Sequence, residues 1–416
     1  MTGLPLEWRG AHRAPMTDPA ELDPAPLTRV VPASSRITLA RALWRVAAAR
    51  VTSGNSVRLL IDGPETFGAM HTLIANAQSS IDFEHYYWDP DEVGRGFADA
   101  LATAAKRGVR VRVLLDWVGA RGGTIKMLRA VSQAGGEVRV FNRPGFRRWL
   151  GLLPRDHRKV VVVDKRVGVT GGVSIAEMWG RWRPLSLSRG GTPWRDTAVE
   201  IRGPAAIDLE RAFLMTWRLA AGQRLTREER RARFAPTARV DPMREPLALV
   251  GIVEGEPGRT RVARALQLGA VSADSSIWLA SAYFVPSFRE AEALVGAARD
   301  GVDVRLLVPN RNDHQWVTHA SRRYYRFLLR GGIRIWEWKG VMMHAKMSIT
   351  DGQITRIGST DLNPLGVAIN YELDAFIEDP ILGAAASTQF LKDLDGSTEV
   401  RLVNGRIIRM STQEAL

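Results

Sequence analysis

The sequence predicts an α/β fold built twice. Two tandem β-α-β domains, each a mixed sheet covered by helices, are expected to meet about a pseudo-two-fold axis. Three observations carry this. Strand-like and helix-like patterns alternate from about Ser56 onward. The same patterns return in the same order in the second half, at offsets of 196, 193 and 196 residues. Two stretches of matching character, HRKVVVVD (His157 to Asp164) and HAKMSITD (His344 to Asp351), occupy equivalent places in the two halves.

The elements follow in order. Residues 1 to about 35 are rich in Pro, Ala and Arg and lack a period, as in a loosely ordered arm. RITLARALWRVAAARV (Arg36 to Val51) reads as an amphipathic helix, able to pack on the main domain or to lie on a membrane surface. SIDFEHYYW (Ser80 to Trp88) reads as a strand, and FADALATAAKRG (Phe97 to Gly108) as a helix closed by glycine. VRVRVLLD (Val109 to Asp116) alternates with period 2, MLRAVSQAGG (Met127 to Gly136) reads as a helix, and EVRVF as a strand. The echoes are SSIWLASAYF (Ser275 to Phe284), AARDGVDVRLLVP (Ala297 to Pro309) and GGIRIWE (Gly331 to Glu337). The charged, proline-bearing stretch from Gln223 to Pro246 suits a linker. The expected organisation is therefore 1–55 for arm and helix, 56–222 and 247–416 for the two domains, and 223–246 between them.

Composition narrows the function classes. The chain has 416 residues and no cysteine, which excludes disulfides and Cys-ligated metals. Its formal net charge of +14 favours polyanionic partners: anionic lipid, phosphorylated substrates or nucleic acid. No apolar run approaches the roughly 18 to 20 residues of a spanning helix, and the first residues lack an apolar secretory core. The expectation is a soluble or peripheral protein on the cytoplasmic side.

The chemistry is expected from the paired motifs. Both read H-x-K, four residues, then D, and a small-residue turn follows seven residues after each Asp: GGVS (Gly171 to Ser174) and GSTD (Gly358 to Asp361). On a strand, positions i and i+2 share a face, so His157 points with Lys159 and His344 with Lys346. Asp164 and Asp351 have the opposite parity and are expected to hold local structure, although they complete the motif. Two lysines without adjacent carboxylates make a metal site improbable. They suit phosphodiester oxygens and the charge that develops in phosphoryl transfer. One neutral histidine can attack phosphorus while the other serves as acid and base. No cofactor is needed.

The two HxKx4D copies with their glycine turns resemble the phospholipase D superfamily. The segments FEHYYWDPDEVGR, WRDTAVEIRGPAA, SAYFVPS and GSTDLNPLGVAINYELD are similar to bacterial cardiolipin synthases, from roughly Ser56 to the C-terminus. The resemblance implies two phospholipase D-like domains around one site and phosphatidyl transfer through a phosphohistidine. It implies His157 as nucleophile and His344 as acid/base, with Asp196 and Glu372 orienting the rings. It implies phosphatidylglycerol as a substrate, no nucleic-acid partner, and leaves the oligomer open. A phospholipase D-type hydrolase, or a phosphodiesterase or nuclease, would use the same machinery. Family members usually carry Asn where this chain has Asp361, with Asn363 two residues on; in the first copy Ser174 and Gly172 stand at the Asn and Ser positions.

Weaker candidates complete the set. Ser174, Ser359, Asn363 and Glu84 are expected to touch substrate, and Tyr86 and Tyr283 to line the pocket or the core. Asp313 reads as a helix N-cap. Gly136 to His157 spans 21 residues where Gly332 to His344 spans 12. The insertion falls within RPGFRRWLGLLPR (Arg143 to Arg155). Its Phe146, Arg147, Arg148, Trp149 and Leu152 suit the headgroup region of an anionic bilayer.

Overall fold

A computed structural model describes residues 39–120, 122–143, 154–180, 193–223 and 248–411. The first half contains α1 (Leu39–Ala47), β1 (Val51–Ile61), α2 (Asp62–Asn76), β2 (Ser80–His85), α3 (Glu92–Lys106) and β3 (Arg110–Asp116). It continues with α4 (Gly122–Met127), α5 (Arg129–Gln133), β4 (Glu137–Phe141), β5 (Lys159–Val163), β6 (Val167–Gly171), β7 (Thr197–Arg202) and α6 (Ala205–Ala220). The second half repeats the plan with β8 (Ala248–Gly255), α7 (Arg261–Ser272), β9 (Ser276–Ser281), α8 (Phe288–Arg299), β10 (Asp303–Pro309), α9 (Gln315–Arg330) and β11 (Arg334–Trp338). There follow β12 (Lys346–Thr350), β13 (Ile354–Gly358), β14 (Glu372–Glu378), α10 (Pro380–Asp395), β15 (Ser397–Val403) and β16 (Arg406–Ser411).

The strands join edge to edge in the order β16-β15-β11-β10-β9-β12-β13-β14-β8-β1-β7-β6-β5-β2-β3-β4. Outward from the antiparallel β1–β8 seam, the two halves match strand for strand: β1, β7, β6, β5, β2, β3, β4 against β8, β14, β13, β12, β9, β10, β11. Strands β2–β4 and β9–β11 are parallel among themselves and their neighbours antiparallel, so each half is a mixed sheet. The duplicated α/β plan is thus realised, with the two sheets continuous through the seam.

The four valines of β5 show why such a strand can be apolar throughout. Val161 and Val163 pack under α2 and α3 with Phe83, Phe97 and Leu101. Val160 and Val162 enter a second core with Val199, Leu209, Met347, Ile349 and Phe390, drawn from both halves. Burying both faces requires apolar residues at both parities.

Some boundaries differ from expectation. Helix α3 begins five residues earlier than its apolar pattern, because Asp91 caps it by accepting from Gly94 N at 2.9 Å. The helix expected over Met127–Gly136 is two short pieces interrupted at Leu128. Helix α1 buries Leu43 and Ala47 against Val253, Val262, Ala265 and Phe376 of the second half, so its apolar face is occupied by protein. Asp313 does not cap α9. His314 holds that position, and Asp313 accepts from the Tyr283 hydroxyl at 2.9 Å.

Candidate active site

Register places the two motifs at one end of the sheet. Lys159, at the start of β5, pairs with His85 at the end of β2. Lys346, at the start of β12, pairs with Ser281 at the end of β9. Each histidine lies just before its strand and is held by backbone from elsewhere: His157 N donates to Tyr371 O at 2.9 Å, and His344 N to Arg195 O at 2.7 Å. These bonds tie each motif to the opposite half of the chain.

The rings are tied across the halves as well. His157 Nδ1 is 3.0 Å from both carboxylate oxygens of Glu372. His344 Nδ1 is 2.7 Å from Asp196 Oδ2. Such contacts put the proton on Nδ1 and leave Nε2 as the ring's unprotonated nitrogen, able to attack or to exchange a proton. Each acid has a second donor, but the donors differ. Ser359 Oγ donates to Glu372 at 2.5 Å, and Trp179 Nε1 donates to Asp196 at 2.8 Å. Gly172 occupies the place of Ser359 in the first half, and a Cβ there would stand 2.1 Å from Asp196 Oδ1. The glycine makes room for the shorter acid to approach.

The lysines lie beside the rings. Lys159 Nζ donates to His157 O at 2.9 Å; Lys346 Nζ donates to His344 O at 2.7 Å and lies 3.0 Å from His344 Nε2. Tyr86 meets the His157 ring at 4.9 Å, and Lys159 lies over it at 5.6 Å. Tyr283 does the same for His344, at 5.8 Å, and for Lys346, at 5.4 Å. Trp179 and Trp194 complete the wall around His344 at 5.3 and 5.4 Å.

Burial sets the protonation states. It drives His157 well below the usual imidazole range, with Lys159 adding to the effect. His344 is lowered by burial and by Lys346, against the pull of Asp196. Lys159 is lowered to about 8 by burial and by Lys346. Glu372 is raised to about 7 by burial, against Lys159 and Ser359. Asp196 is also penalised by burial, but His344, Lys346 and Thr197 N outweigh it and hold the group below the usual carboxylate range. The centre therefore combines neutral imidazoles with cationic ammonium groups, an arrangement complementary to a phosphodiester.

Several expected contacts fall elsewhere. Asp164 and Asp351 lie at the far ends of β5 and β12, about 20 Å from the histidines at ~3.3 Å per residue. Asp164 accepts from Gln78 N, Ser79 N, Ser79 Oγ and Ser80 N at 2.6 to 2.9 Å. Asp351 accepts from the matching atoms of Asp274, Ser275 and Ser276 at 2.7 to 2.9 Å. They pin the starts of β2 and β9 and do not reach the reacting atoms. Glu84 points to the other face of β2, where it accepts from Thr216 Oγ1 and is fully buried. Tyr86, just past the end of β2 and against the His157 ring, is the site residue in place of Glu84. Asn363 is engaged locally, donating to Tyr283 O at 3.1 Å and accepting from Gly366 N at 2.9 Å. Ser359 supports Glu372 rather than facing the centre, and Ser174 is buried beyond the first glycine turn. Asp361 does face the centre, 3.5 Å from Lys346 Nζ. The insertion residues Phe146, Arg147, Arg148, Trp149 and Leu152 and linker residues 224–246 lie outside the described residues; the insertion's two ends are joined by Asn142 Nδ2 donating to Pro154 O at 2.9 Å.

Two buried arginines beside the site were not singled out from sequence. Arg158 donates to Glu372 O at 3.1 Å and to Ala212 O at 2.8 Å. Arg195 grips Asp393 at 2.9 and 3.0 Å. Each fastens one half to the other next to a residue that carries or orients a histidine. Their adjacency to His157 and Asp196 was the available signal, and their partners had none.

Comparison with known proteins agrees with this arrangement. The family model described as cardiolipin synthase, PLD-like domain, matches twice, over residues 70–177 and 270–394. A cardiolipin synthase of Geobacillus kaustophilus is 32% identical over 362 residues, covering 86% of this chain and 70% of that one. One from Halalkalibacterium halodurans is 30% identical over 367 residues, covering 87% and 71%. Among solved structures, a phosphatidylserine synthase of Haemophilus influenzae aligns with TM-score 0.66 at 14% identity, over 90% of this chain and 93% of that one. A polyphosphate kinase of Porphyromonas gingivalis aligns with TM-score 0.56 at 13% identity, over 86% and 50%. These two likenesses show the fold.

Proposed function

The chain belongs to the phospholipase D superfamily, cardiolipin synthase type, and from that premise we propose that its two-histidine centre moves a phosphatidyl group onto the headgroup hydroxyl of a second phospholipid. It is a phosphatidyltransferase, and phosphatidylglycerol is the substrate that its relatives' activity and its basic charge favour. The observation that carries the reading is the crossed pairing of His157 with Glu372 and His344 with Asp196, beside Lys159 and Lys346.

The steps follow from the geometry. His157 Nε2 attacks phosphorus; an N–P bond forms and the P–O bond to the leaving headgroup breaks. Lys159 and Lys346 balance the charge on the phosphoryl oxygens. His344 donates a proton to the departing oxygen. The negative phosphodiester and Asp196 both favour its imidazolium form once substrate is bound. The acceptor hydroxyl then gives its proton to His344 and attacks phosphorus, and the N–P bond breaks. With phosphatidylglycerol as donor and acceptor, the products are cardiolipin and glycerol. The assignment of His157 as the attacking group follows the family pattern.

No helix among the described residues is long and apolar enough to cross a membrane. We place the enzyme peripherally on the cytoplasmic side of the membrane, on the strength of its lipid substrates and its +14 charge. The insertion with Trp149 and Leu152 is part of that reading.

Incubation with phosphatidylglycerol vesicles, with and without phosphatidylethanolamine, followed by mass analysis of the lipids, tests the activity. Cardiolipin is expected, and His157→Ala and His344→Ala should each abolish it. Phosphatidic acid with no cardiolipin under any condition would identify a hydrolase instead.

A further inference from the structure

Among the described residues, twelve large apolar side chains are left exposed, and six of them, including all three aromatic ones, lie at one end of the sheet. Trp117 and Val118 directly follow β3, and Phe288 opens α8 after the loop from β9. Trp316 opens α9 after β10, Val341 lies between β11 and His344, and Leu365 lies in the turn between β13 and β14. All six are on segments at the end of the sheet where β5 and β12 start, the end that holds both histidines. Local contacts agree. Trp117 N donates to Phe141 O at 3.1 Å, and His314, two residues before Trp316, meets Tyr283 at 6.0 Å. Met342, next to Val341, accepts from Arg195 N at 2.9 Å. Of the other six, Ile207, Val271, Ile381 and Val403 sit where chains enter or leave the opposite end, Leu391 is on α10 and Ile408 lies within β16.

We propose that the loops bearing Trp117, Val118, Phe288, Trp316, Val341 and Leu365 are the face by which this enzyme seats on an anionic bilayer, with both halves contributing around the mouth of the site. The proposal rests on the phospholipid reading above and names the surface that delivers the lipid. Tryptophan and aliphatic side chains beside cations match the boundary between headgroups and acyl chains. Exposed Arg289, Arg311 and Lys339 stand next to or near Phe288, Trp316 and Val341. Asp313, three residues before Trp316, is engaged within the protein, accepting from Tyr283, and Asp91 of the neighbouring loop after β2 caps α3. Seated this way, a headgroup enters the centre while its acyl chains stay in the membrane.

The test is co-sedimentation of the full chain with vesicles of phosphatidylglycerol mixed into phosphatidylcholine. The doubly substituted Trp117→Ser, Trp316→Ser protein, shown to be folded by circular dichroism and its melting temperature, should partition at least tenfold less than the parent. Val271→Ser with Ile381→Ser, at the opposite end, should partition like the parent. Unchanged binding of the first variant, or equal loss in the second, overturns the proposal. A change from dimer to monomer in the first variant with vesicle binding intact would instead make the face a contact between copies, and also overturns it. Turnover of a short-chain phosphatidylglycerol below its micelle concentration by the unmodified protein is read separately. Its failure would count against the functional reading, while vesicle binding still judges the surface.

Discussion

His157 Nδ1 lies 3.0 Å from both oxygens of Glu372, a residue 215 positions away in the other half of the chain. The partner relationship of His344 with Asp196, 148 positions away at 2.7 Å, runs in the opposite direction along the sequence. Each half thus supplies one imidazole and the carboxylate that orients the other half's imidazole. Neither half alone contains a complete centre.

The protonation states give the activity a narrow pH window. Glu372, raised to about 7, must be ionised to accept the Nδ1 proton of His157. Lys159, lowered to about 8, must be protonated to meet phosphoryl oxygens. The first fraction rises with pH and the second falls. A bell-shaped profile of kcat/KM is therefore expected, with limbs near 7 and near 8. Glu372→Gln should lower the rate and remove the acid limb. Persistence of that limb in the variant would assign it to another group.

Gly172 and Ser359 are equivalent in the duplication but should respond differently. Gly172→Ala drives a methyl group into Asp196, so His344 loses its orienting acid. A loss of about 10²-fold or more in kcat is expected, the lower range for general acid–base catalysis. Ser359→Ala removes one hydrogen bond to Glu372 and should cost about tenfold or less, near 1 kcal/mol. Equal effects in steady-state kinetics would show that crowding of Asp196 is not the cause.

Asp361 puts a carboxylate 3.5 Å from Lys346, within a centre suited to anions. Asp361→Asn removes that repulsion and frees the Lys346 charge for phosphate. The apparent KM for phosphatidylglycerol should fall about three- to tenfold, or ~1 kcal/mol, with a smaller change in kcat. A rise in KM would show that the carboxylate instead binds the acceptor, for example through its hydroxyl.

Asp164 belongs to the motif but is expected to act on stability. Asp164→Ala removes four hydrogen bonds at the start of β2 and should cost about 2 kcal/mol in denaturant unfolding. Its pKa is depressed by these bonds, so the contribution is full above the unfolded aspartate range, near 4, and is lost as pH falls through the lower folded value. The difference between variant and parent should therefore shrink in acid. The folded fraction should keep its turnover, whereas His157→Ala should be inactive and stable.

Much of this was legible because strands and duplications leave periodic traces. The parity of HRKVVVVD separates His157 and Lys159 from Asp164, and the backbone bonds of Asp164 agree with that separation. Parity alone does not separate Glu84 from Tyr86, two residues on; β2 ends at His85, and only the fold sets Glu84 in the core beside Thr216 and Tyr86 against His157. Asn363, a polar residue in a glycine turn, gives no sign that Tyr283 and Gly366 occupy its amide.

The sequence by itself determined the duplicated α/β plan, the paired His-Lys motifs and the insertion before β5, because each is a local pattern repeated at fixed spacing. Only the tertiary structure decided which carboxylate meets which histidine, that Trp179 stands in for a serine beside Asp196, and that Arg158 and Arg195 clamp the halves. Those pairings join residues far apart in the chain. Their identity depends on how the β1–β8 seam sets one half against the other, and local periodicity carries no record of that.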